Sequence, residues 1–497
     1  MQTWVDDELA TADLGDQRLN QRFRLVLDRL SQKPSLKFPA ACRGQAEIQA
    51  AYRFLDNDRV TADKVLAPHR TATLARLRAQ PVALLIQDTT DLDVTRKQER
   101  MAGAGPLNDE AHVGFYDHVL VAVTPAQVML GVLDAQIWAR DPEEFARSAA
   151  VKAQARKTKT IEEKESVRWL EGYRHACQVA AEAPDTQIVC VSDSEGDVYE
   201  CFEAAQPADG QRKADWIVRA CQNRALLPAA TPEGTGGEGA TAAAGAAPAP
   251  DLWSQVAQAA VLTTLTIEVS RREPKSKDDR KRKPPRSART AVVSGRAAVV
   301  TLRPPARPGR KLAAVTVHAV LVREDKPPAG EAPIEWLLLT SLPIATVEEV
   351  LRVVEGYCCR WQIEIYFRVL KSGCNVEASQ LEQARRFEPF LALCMIVAWR
   401  VLYTMRLGRE CPELPCTVVF EDDEWRAVYA VVTNAPPPTT LPTLGEVVLL
   451  VATLGGYQHR KGDGPPGPKA LWVGLQRLTD LTLAWQAFAQ HGPRPAG

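Results

Sequence analysis

The chain has 497 residues, of which 45% are hydrophobic and 25% charged, as in an ordinary soluble globular protein with several domains. Its 61 basic and 61 acidic residues cancel, so the overall charge neither requires nor excludes a nucleic-acid partner. Eleven cysteines are scattered without a CxxC pair, which argues against a disulfide framework and against a zinc site. The start "MQTWVDDELA" lacks a signal-peptide pattern and the apolar runs are short, so we expect a cytoplasmic protein without membrane contact.

Residues 1 to about 70 have helical patterns, first in "LGDQRLNQRFRLVLDRL" and then in "GQAEIQAAYRFLDNDRVTADKVL". Basic side chains recur throughout this region: Arg18, Arg22, Arg24, Arg29, Lys33, Arg43, Arg53 and Arg59. They fit either the solvated face of an amphipathic helical bundle or a small DNA-binding module.

An α/β pattern begins near residue 81. The runs "VALLI" (82–86), "HVLVAVT" (118–124) and "QIVCVS" (187–192) predict buried strands. A strong helix pattern, "KTIEEKESVRWLEGYRHACQVAAEA", lies between the second and the third. Together these elements predict an α/β layer with a mixed sheet.

Residues 228–250 are almost entirely Ala, Gly, Pro and Thr, which predicts a disordered loop because such a segment buries little apolar area. The strand-like runs "TTLTIEVS", "TAVVS", "AAVVTLRP" and "AAVTVHAVLVRE" then predict an inserted antiparallel β-region. Within it, residues 271–289 carry ten basic and three acidic side chains, as a solvated loop or a phosphate-binding loop would. After residue 380 the pattern is helical to the end.

The stretch "EGYCCRWQIEIYFRVLKSG", residues 355–373, predicts one continuous helix. On such a helix Tyr357, Arg360, Glu364 and Lys371 fall within a stripe about 60° wide, bordered by large apolar side chains. A solvated helix face is usually wider and mixes both signs of charge freely. The stripe therefore indicates a carboxylate held among cations at the edge of a core, directed at an anionic partner.

A single glutamate cannot hold a hard divalent ion such as Mg²⁺, which needs several carboxylate oxygens. Asp88 directly follows "VALLIQ" and Asp193 directly follows "IVCVS", and ligands gather at strand ends in α/β sheets. With Glu364, these aspartates would hold two ions about 3.5–4 Å apart for an in-line phosphoryl displacement. An aspartate after a strand is also a common turn residue or helix cap.

Neighbouring acids leave alternatives open. Asp91, Asp93 and Asp197 fit the same geometry as the two aspartates, and Glu195 fits a supporting position. The chain has no Walker sequence and no GxGxxG, so we expect no nucleotide cofactor.

The spacing Tyr357-x2-Arg360-x3-Glu364-x6-Lys371 resembles the YREK signature of the DDE transposases of insertion-sequence family four, which includes the transposase of the composite kanamycin-resistance transposon. The stretches "LGDQR", "AYRF", "DTT", "EKES", "WLLLTS" and "LGGY" extend the resemblance over nearly the whole chain. Two features depart from the family. Ser194 follows Asp193 where the best-known relative has arginine, and the Ala/Gly-rich segment is an extra insertion.

The resemblance implies an RNase H-like mixed-sheet catalytic core with an inserted antiparallel β-region, flanked by helical N- and C-terminal domains. On this chain the domains would be 1–70 for binding DNA ends, 71–380 for catalysis with the insertion at about 222–335, and 381–497 for dimerisation. The implied partners are double-stranded DNA, as transposon-end inverted repeats and as target, and a second copy of the chain in a paired-end complex.

Carried over residue by residue, the resemblance implies the DDE triad Asp88, Asp193 and Glu364, binding Mg²⁺ with Mn²⁺ as a substitute. It implies DNA contacts by Tyr357, Arg360, Lys371 and Arg219. It also implies that Trp336 stacks on a base flipped from the transposon end, although a tryptophan at the start of "WLLLTS" also fits a core position. The implied reaction is cut-and-paste transposition: nicking, hairpin formation, hairpin opening and strand transfer.

Two other functions stay open from the sequence. One is an RNase H-like structure-specific nuclease without strand transfer. The other is a non-catalytic DNA-binding remnant or inhibitor derived from a transposase.

Overall fold

Groups of helices and groups of strands succeed one another along the chain in the computed structural model, which describes residues 3–96, 100–206, 212–228, 251–269, 271 and 285–491. The strands are β1 (Val82–Asp93), β2 (Gly105–Pro106), β3 (Val113–Val123), β4 (Met129–Trp138), β5 (Gln187–Ser192), β6 (Asp215–Arg219), β7 (Val261–Val269), β8 (Arg289–Leu302), β9 (Val315–Arg323) and β10 (Glu335–Thr340). The helices are α1 (Trp4–Glu8), α2 (Gln17–Gln32), α3 (Phe38–Ala41), α4 (Gln45–Leu55), α5 (Ala62–Arg78), α6 (Pro142–Phe145), α7 (Ala149–Thr158), α8 (Val167–Glu182), α9 (Tyr199–Ala204), α10 (Leu252–Ala257), α11 (Val347–Cys358), α12 (Trp361–Arg368), α13 (Ala384–Glu410), α14 (Asp422–Thr433), α15 (Leu444–Leu454) and α16 (Pro468–His491).

The chain divides into two compact units. Unit 1 comprises Met1–Val151, Ala183–Thr186 and Trp361–Gly497. Unit 2 comprises Lys152–Glu182 and Gln187–Arg360. The helical N-terminal and C-terminal regions predicted from the sequence both lie in unit 1, whereas the β-region lies in unit 2.

In unit 1, β3 pairs antiparallel with β1, β2 and β4, and every residue of β3 is buried. The sequence does not predict β4, because its glycine and its polar second half interrupt the apolar run. Helix α5 packs on β4, and a Cβ at Gly131 would lie only 1.8 Å from Thr73 Oγ1. Glycine therefore permits the close approach of helix α5 and strand β4. The same glycine weakens the strand pattern in the sequence.

Helix α13 is the central helix of unit 1 and packs on α5 and β4. By length and composition it could cross a membrane, but 83% of its apolar window is buried inside the protein. An apolar helix covered by other elements is what the core of a large α/β unit requires.

A buried polar network joins α1 to this core. Glu8 accepts hydrogen bonds from Arg76 at 2.8 and 3.0 Å and from His69 Nδ1 at 2.5 Å, while His69 Nε2 accepts from the Val132 amide at 2.9 Å. The Arg76 guanidinium also lies 4.3 Å from the Trp399 ring centroid. Burial alone would raise the pKa of Glu8, but His69 and Arg76 lower it to about 2. Glu8 is therefore a buried, ionised and fully paired carboxylate.

Asp117 on β3 has the opposite character. Its side chain is fully buried, and neither carboxyl oxygen has a hydrogen-bond partner within the described parts of the chain. Burial, together with the charge of Asp134, raises the pKa of Asp117 well above its usual range. Its surroundings therefore favour the protonated form of this core acid, and its charge contributes to raising the pKa of Tyr366.

In unit 2, β5 and β6 pair in parallel, and β6, β10, β9, β8 and β7 succeed one another in antiparallel order. Helix α8 packs on β5, and α11 packs on β5, β6 and β10. The mixed strands, the inserted antiparallel region and the helical flanks confirm the predicted α/β class and fit an RNase H-like core.

Two of the predicted strands are one. The sequence predicts separate strands at "TAVVS" and "AAVVTLRP", but β8 runs unbroken through the intervening Gly295 and Arg296. The Ser-Gly pair looks like a turn in the sequence, yet a Cβ at Gly295 would lie 2.8 Å from a side-chain atom of Thr263 on β7. The glycine therefore allows two strands to approach closely at a register shift rather than ending one of them.

Two predictions lie outside the described residues. The loop predicted at 228–250 is described only at Pro228, and the basic stretch at 271–289 is described only at residue 271 and from residue 285 onward. The proposed domain boundaries stay a prediction.

Candidate functional site

The sequence predicts that Asp88 follows the end of a strand, but Asp88 lies within β1. The strand continues to Asp93, because β-branched Thr89 and Thr90 keep the extended pairing with β3. The Asp88 carboxylate accepts a hydrogen bond from the Thr89 amide at 2.8 Å and is half-buried. It is therefore held on a rigid strand with part of its surface open to a ligand.

His118 on β3 fixes the two neighbours of Asp88. Its ring nitrogens lie 3.1 Å from Gln87 Oε1 and 2.8 Å from Thr89 Oγ1. Since side chains alternate along a strand, this clamp lies on the face of β1 opposite Asp88. His118 is not among the site residues predicted from the sequence, although a lone histidine inside the apolar run "HVLVAVT" is the signal that could have found it.

Glu364 lies on α12, which packs against β1 in unit 1. Its neighbours Ile363, Tyr366 and Phe367 are buried, whereas Glu364 is half-buried. The buried apolar side chains thus pack α12 against the core, and the Glu364 carboxylate lies at the edge of that core. Two of the three predicted acids therefore lie on elements that pack together.

The prediction of one continuous helix over 355–373 is wrong. Helix α11 ends at Cys358, α12 begins at Trp361, and the Arg360 amide donates to the Tyr357 carbonyl at 3.0 Å, a tight turn that ends α11. The residues around the break, "YCCRW", are all weak helix formers except the arginine, so local propensity does not oppose it. The four charged and aromatic residues of the stripe thus do not share one helix.

Lys371 lies in a π turn, Val369–Gly373, which directly succeeds α12. Its Nζ donates to Asp91 Oδ1 at 2.7 Å and lies 3.6 Å from Glu377 Oε1. Glu377 Oε1 also accepts from the Asp93 amide at 3.1 Å. Lys371 is therefore held by two carboxylates, one of them on the strand that carries Asp88.

In unit 2, Asp193 directly follows β5, as the sequence predicts. One of its oxygens accepts from the Glu195 amide at 2.7 Å and caps the 3₁₀ turn Ser194–Gly196. Burial, together with the charge of Asp193, raises the pKa of Glu195. Asp193 is thus a turn cap, and capping through Oδ1 is compatible with a ligand at Oδ2.

Several of the predicted residues of unit 2 act electrostatically on Tyr357. Burial raises the pKa of Tyr357, the charges of Arg360 and Arg219 act against that rise, and the charge of Asp193 adds to it. The Arg360 guanidinium lies 6.0 Å from the Tyr357 ring centroid. The raised pKa keeps the hydroxyl protonated, so it can donate a hydrogen bond to an anion.

Trp336 completes this group. It is the second residue of β10, half-buried, and its ring lies 5.8 Å from the Tyr357 ring. Arg219 Nη2 donates to the carbonyl of Glu335, next to Trp336, at 3.4 Å. Asp193, Arg219, Trp336, Tyr357 and Arg360 thus form one neighbourhood within unit 2.

Asp197, an alternative to the two aspartates of the predicted triad, has a structural role. Asp197 is buried, pairs with Arg224 at 2.5 Å, and accepts from the amides of Cys221 and Gln222 at 2.9 and 3.0 Å. Both of its carboxylate oxygens are therefore engaged in folding this loop.

The donor chemistry of the predicted triad suits a hard divalent cation. Asp88, Asp193 and Glu364 offer carboxylate oxygens that are all half-buried, and such oxygens are the ligands that Mg²⁺ and Mn²⁺ prefer. Within the described ranges, no three His, Cys, Asp or Glu side chains stand close enough to hold an ion together.

Comparison with known protein families gives three matches in chain order. Residues 1–60 match a transposase DNA-binding domain, residues 202–400 match a transposase DDE domain, and residues 396–487 match the dimerisation domain of transposase Tn5. These matches support DNA binding, dimer formation and DDE chemistry, which generally depends on divalent metal ions. Glu364 lies within the DDE match, whereas Asp88 and Asp193 precede it.

Among solved structures, the chain is similar to one described as "Cryo-EM structure of piggyBac transposase synaptic complex with hairpin DNA (SNHP)". The identity is 8%, the TM-score is 0.36, and the match covers 98% of this chain and 78% of that one.

Proposed function

We propose that this DNA transposase of the DDE type, related to the Tn5 enzyme, moves its own DNA element by a cut-and-paste reaction. The steps would be nicking at the element end, attack of the freed 3′ hydroxyl on the opposite strand to form a hairpin, hairpin opening, and strand transfer into target DNA. The observation that carries the proposal is the packing of α12, with Glu364, against β1, with Asp88, in a chain whose family matches are all transposase domains.

We assign Asp88, Asp193 and Glu364 as the ligands of two Mg²⁺ ions, with Mn²⁺ as a substitute. When bound, such ions activate the attacking oxygen and stabilise the leaving 3′ oxygen. The chain itself supplies rigidity. Asp88 is fixed on a strand whose flanking side chains are clamped by His118, and Asp193 is fixed by the turn that it caps. Small errors in the position of a catalytic group are costly, so these supports matter for the rate.

The cations and aromatics of unit 2 would receive the DNA near the cut. Arg219 and Arg360 provide charge for phosphate oxygens, and the neutral Tyr357 hydroxyl provides a hydrogen-bond donor. Trp336 offers a half-buried aromatic face on which an extruded base could stack. Lys371 would make a further phosphate contact from unit 1.

We further propose that residues 1–70 read the inverted repeats, that residues 71–380 form the catalytic domain, and that residues 381–497 pair two copies on two element ends. Support for the outer two comes from the DNA-binding and dimerisation matches.

The test is a reaction of the full-length protein with a labelled duplex of the inverted repeat that flanks the gene, with MgCl₂ and a supercoiled target plasmid. Resolution of the products on denaturing and native gels separates nicked strand, hairpin and joined plasmid. All three products are expected. Nicking without joined plasmid would indicate a structure-specific nuclease, and binding without nicking would indicate a non-catalytic remnant.

A further inference from the structure

The Lys371 ammonium is already bound by protein carboxylates. Its hydrogen bond to Asp91 Oδ1 is 2.7 Å long, and Glu377 Oε1 lies 3.6 Å away. The side chain is 24% exposed, so the ion pair is accessible to a competing anion. A DNA phosphate would compete with Asp91 and Glu377 for the charge and the N–H donors of this ammonium.

The position of Asp91 on β1 determines where the ammonium is held. The pairing of β1 with β3 runs without a register shift from Leu84 to Asp93, so side chains alternate strictly between the two faces of the strand. Asp91 and Asp93 therefore project from one face, and Asp88 projects from the other. The ion pair holds the Lys371 ammonium on the face opposite the proposed catalytic aspartate.

We propose that Asp91 is a positioning residue that holds Lys371 in the DNA-free protein and competes with DNA phosphate for it. Asp91 thereby sets how strongly Lys371 binds the DNA. This inference rests on the proposed role of Lys371 as a phosphate contact. On DNA binding, the ammonium leaves the Asp91 carboxylate for a phosphate oxygen, and the released carboxylate returns to water.

The chain offers a matched control for this inference. Asp93 lies two residues further along the same face of β1, and its side chain is 40% exposed against 44% for Asp91. The Asp93 carboxylate accepts from the Thr95 amide at 2.9 Å rather than from the Lys371 ammonium. Asp91→Asn and Asp93→Asn therefore remove the same charge at nearly the same place, and only the first removes the carboxylate that accepts the hydrogen bond from Lys371.

The experiment measures the dissociation constant of the full-length protein for a fluorescein-labelled duplex of the inverted repeat that flanks the gene, over a range of KCl concentrations. The variants are Asp91→Asn, Asp93→Asn, Lys371→Met, and each aspartate variant combined with Lys371→Met. An exposed ion pair contributes little, so Asp91→Asn should tighten binding by about two- to five-fold at low salt. The gain should vanish in the Lys371→Met background, whereas Asp93→Asn should cause a smaller change that is equal in both backgrounds.

Each contrary result has a distinct meaning. Equal effects of Asp91→Asn and Asp93→Asn would show a general charge effect and overturn the inference. Weaker binding by Asp91→Asn, with an unchanged melting temperature, would show that Asp91 prepares Lys371 for DNA, and would overturn the competition. Unchanged binding by Lys371→Met would overturn the inference at its premise, while cleavage that depends on Asp88 and Glu364 would still uphold the proposed function. Asp91→Ser repeats the test with a smaller side chain.

Discussion

The ring of Trp336 lies 5.8 Å from the ring of Tyr357, centroid to centroid, with an angle of 59° between their planes. The two aromatics come from different elements, β10 and α11, which pack together in unit 2. Tyr357 is buried and Trp336 is half-buried, so part of the indole surface stays exposed near the tyrosine. Stacking of an extruded base, as proposed for Trp336, requires such an exposed aromatic surface.

Replacement of this indole should therefore affect one reaction step. In Trp336→Ala we expect normal nicking and scarce hairpin, because a base that flips out during sharp bending loses a stacking contribution of about 1–3 kcal/mol. A denaturing gel that resolves nicked and hairpin products over time provides the measurement. Loss of both products with a lowered melting temperature would instead indicate a packing role.

Removal of a proposed metal ligand should abolish cleavage and spare DNA binding. Asp88→Asn, Asp193→Asn and Glu364→Gln are nearly isosteric, so each removes a charged ligand with little effect on the fold. Parallel gel-shift and cleavage assays with Mg²⁺ and with Mn²⁺ should show bound but uncut DNA for all three. A variant that cuts at the wild-type rate would not be a ligand.

The contribution of Arg360 should appear in the salt dependence of DNA binding. Each lost phosphate contact lowers the slope of log K against log salt concentration by about 0.9 on duplex DNA, so Arg360→Ala should show a decrease of this size. Arg352, exposed on the neighbouring helix α11, is the control, and Arg352→Ala should keep the wild-type slope. Equal slopes for the wild type, Arg360→Ala and Arg352→Ala would show that Arg360 makes no phosphate contact.

Asp117 should make the protein less stable as the pH rises. Its pKa is raised in the folded protein, so the folded state holds a proton that the unfolded state releases above a pH of about 4. Stability therefore falls between the ordinary pKa and the raised one. Asp117→Asn does not titrate, so its melting temperature should exceed that of the wild type by a margin that grows as the pH rises above the ordinary pKa of about 4. A margin that does not change with pH would contradict this account.

Glu8 should show the opposite dependence. Its pKa is lowered to about 2 in the folded protein, so its contribution to stability is complete above its ordinary pKa and is lost as the pH falls toward 2. Because His69 and Arg76 would lose their buried partner, Glu8→Gln should cost about 3–5 kcal/mol of unfolding free energy at neutral pH. Urea titrations monitored by circular dichroism measure this cost, which should shrink in acid. Glu143→Gln, at an exposed residue on α6, is the control.

The elements with a strong local signal were predictable from the sequence. Strand β5 and the position of Asp193 after it are expected from a short, nearly continuous apolar run, and the same holds for the first half of β1. The helix break at Cys359 and the length of β8 depend on tertiary packing that overrides local pattern. The pairing of Lys371 with Asp91 joins residues 280 positions apart, which no periodicity within one segment can reveal.

The π turn Val369–Gly373 determines, by its number of residues, where the residues after it are placed. The Cys374 amide donates to the Val369 carbonyl at 2.8 Å, five residues back, so the turn holds one residue more than an α-helical turn. Loss of any one residue from Val369–Gly373 would restore α-helical spacing and rotate the downstream residues by about 100°. A single-codon deletion that spares every charged residue would thus still change which carboxylates meet the Lys371 ammonium. Alignments of such chains should therefore tolerate substitutions within this turn more readily than gaps.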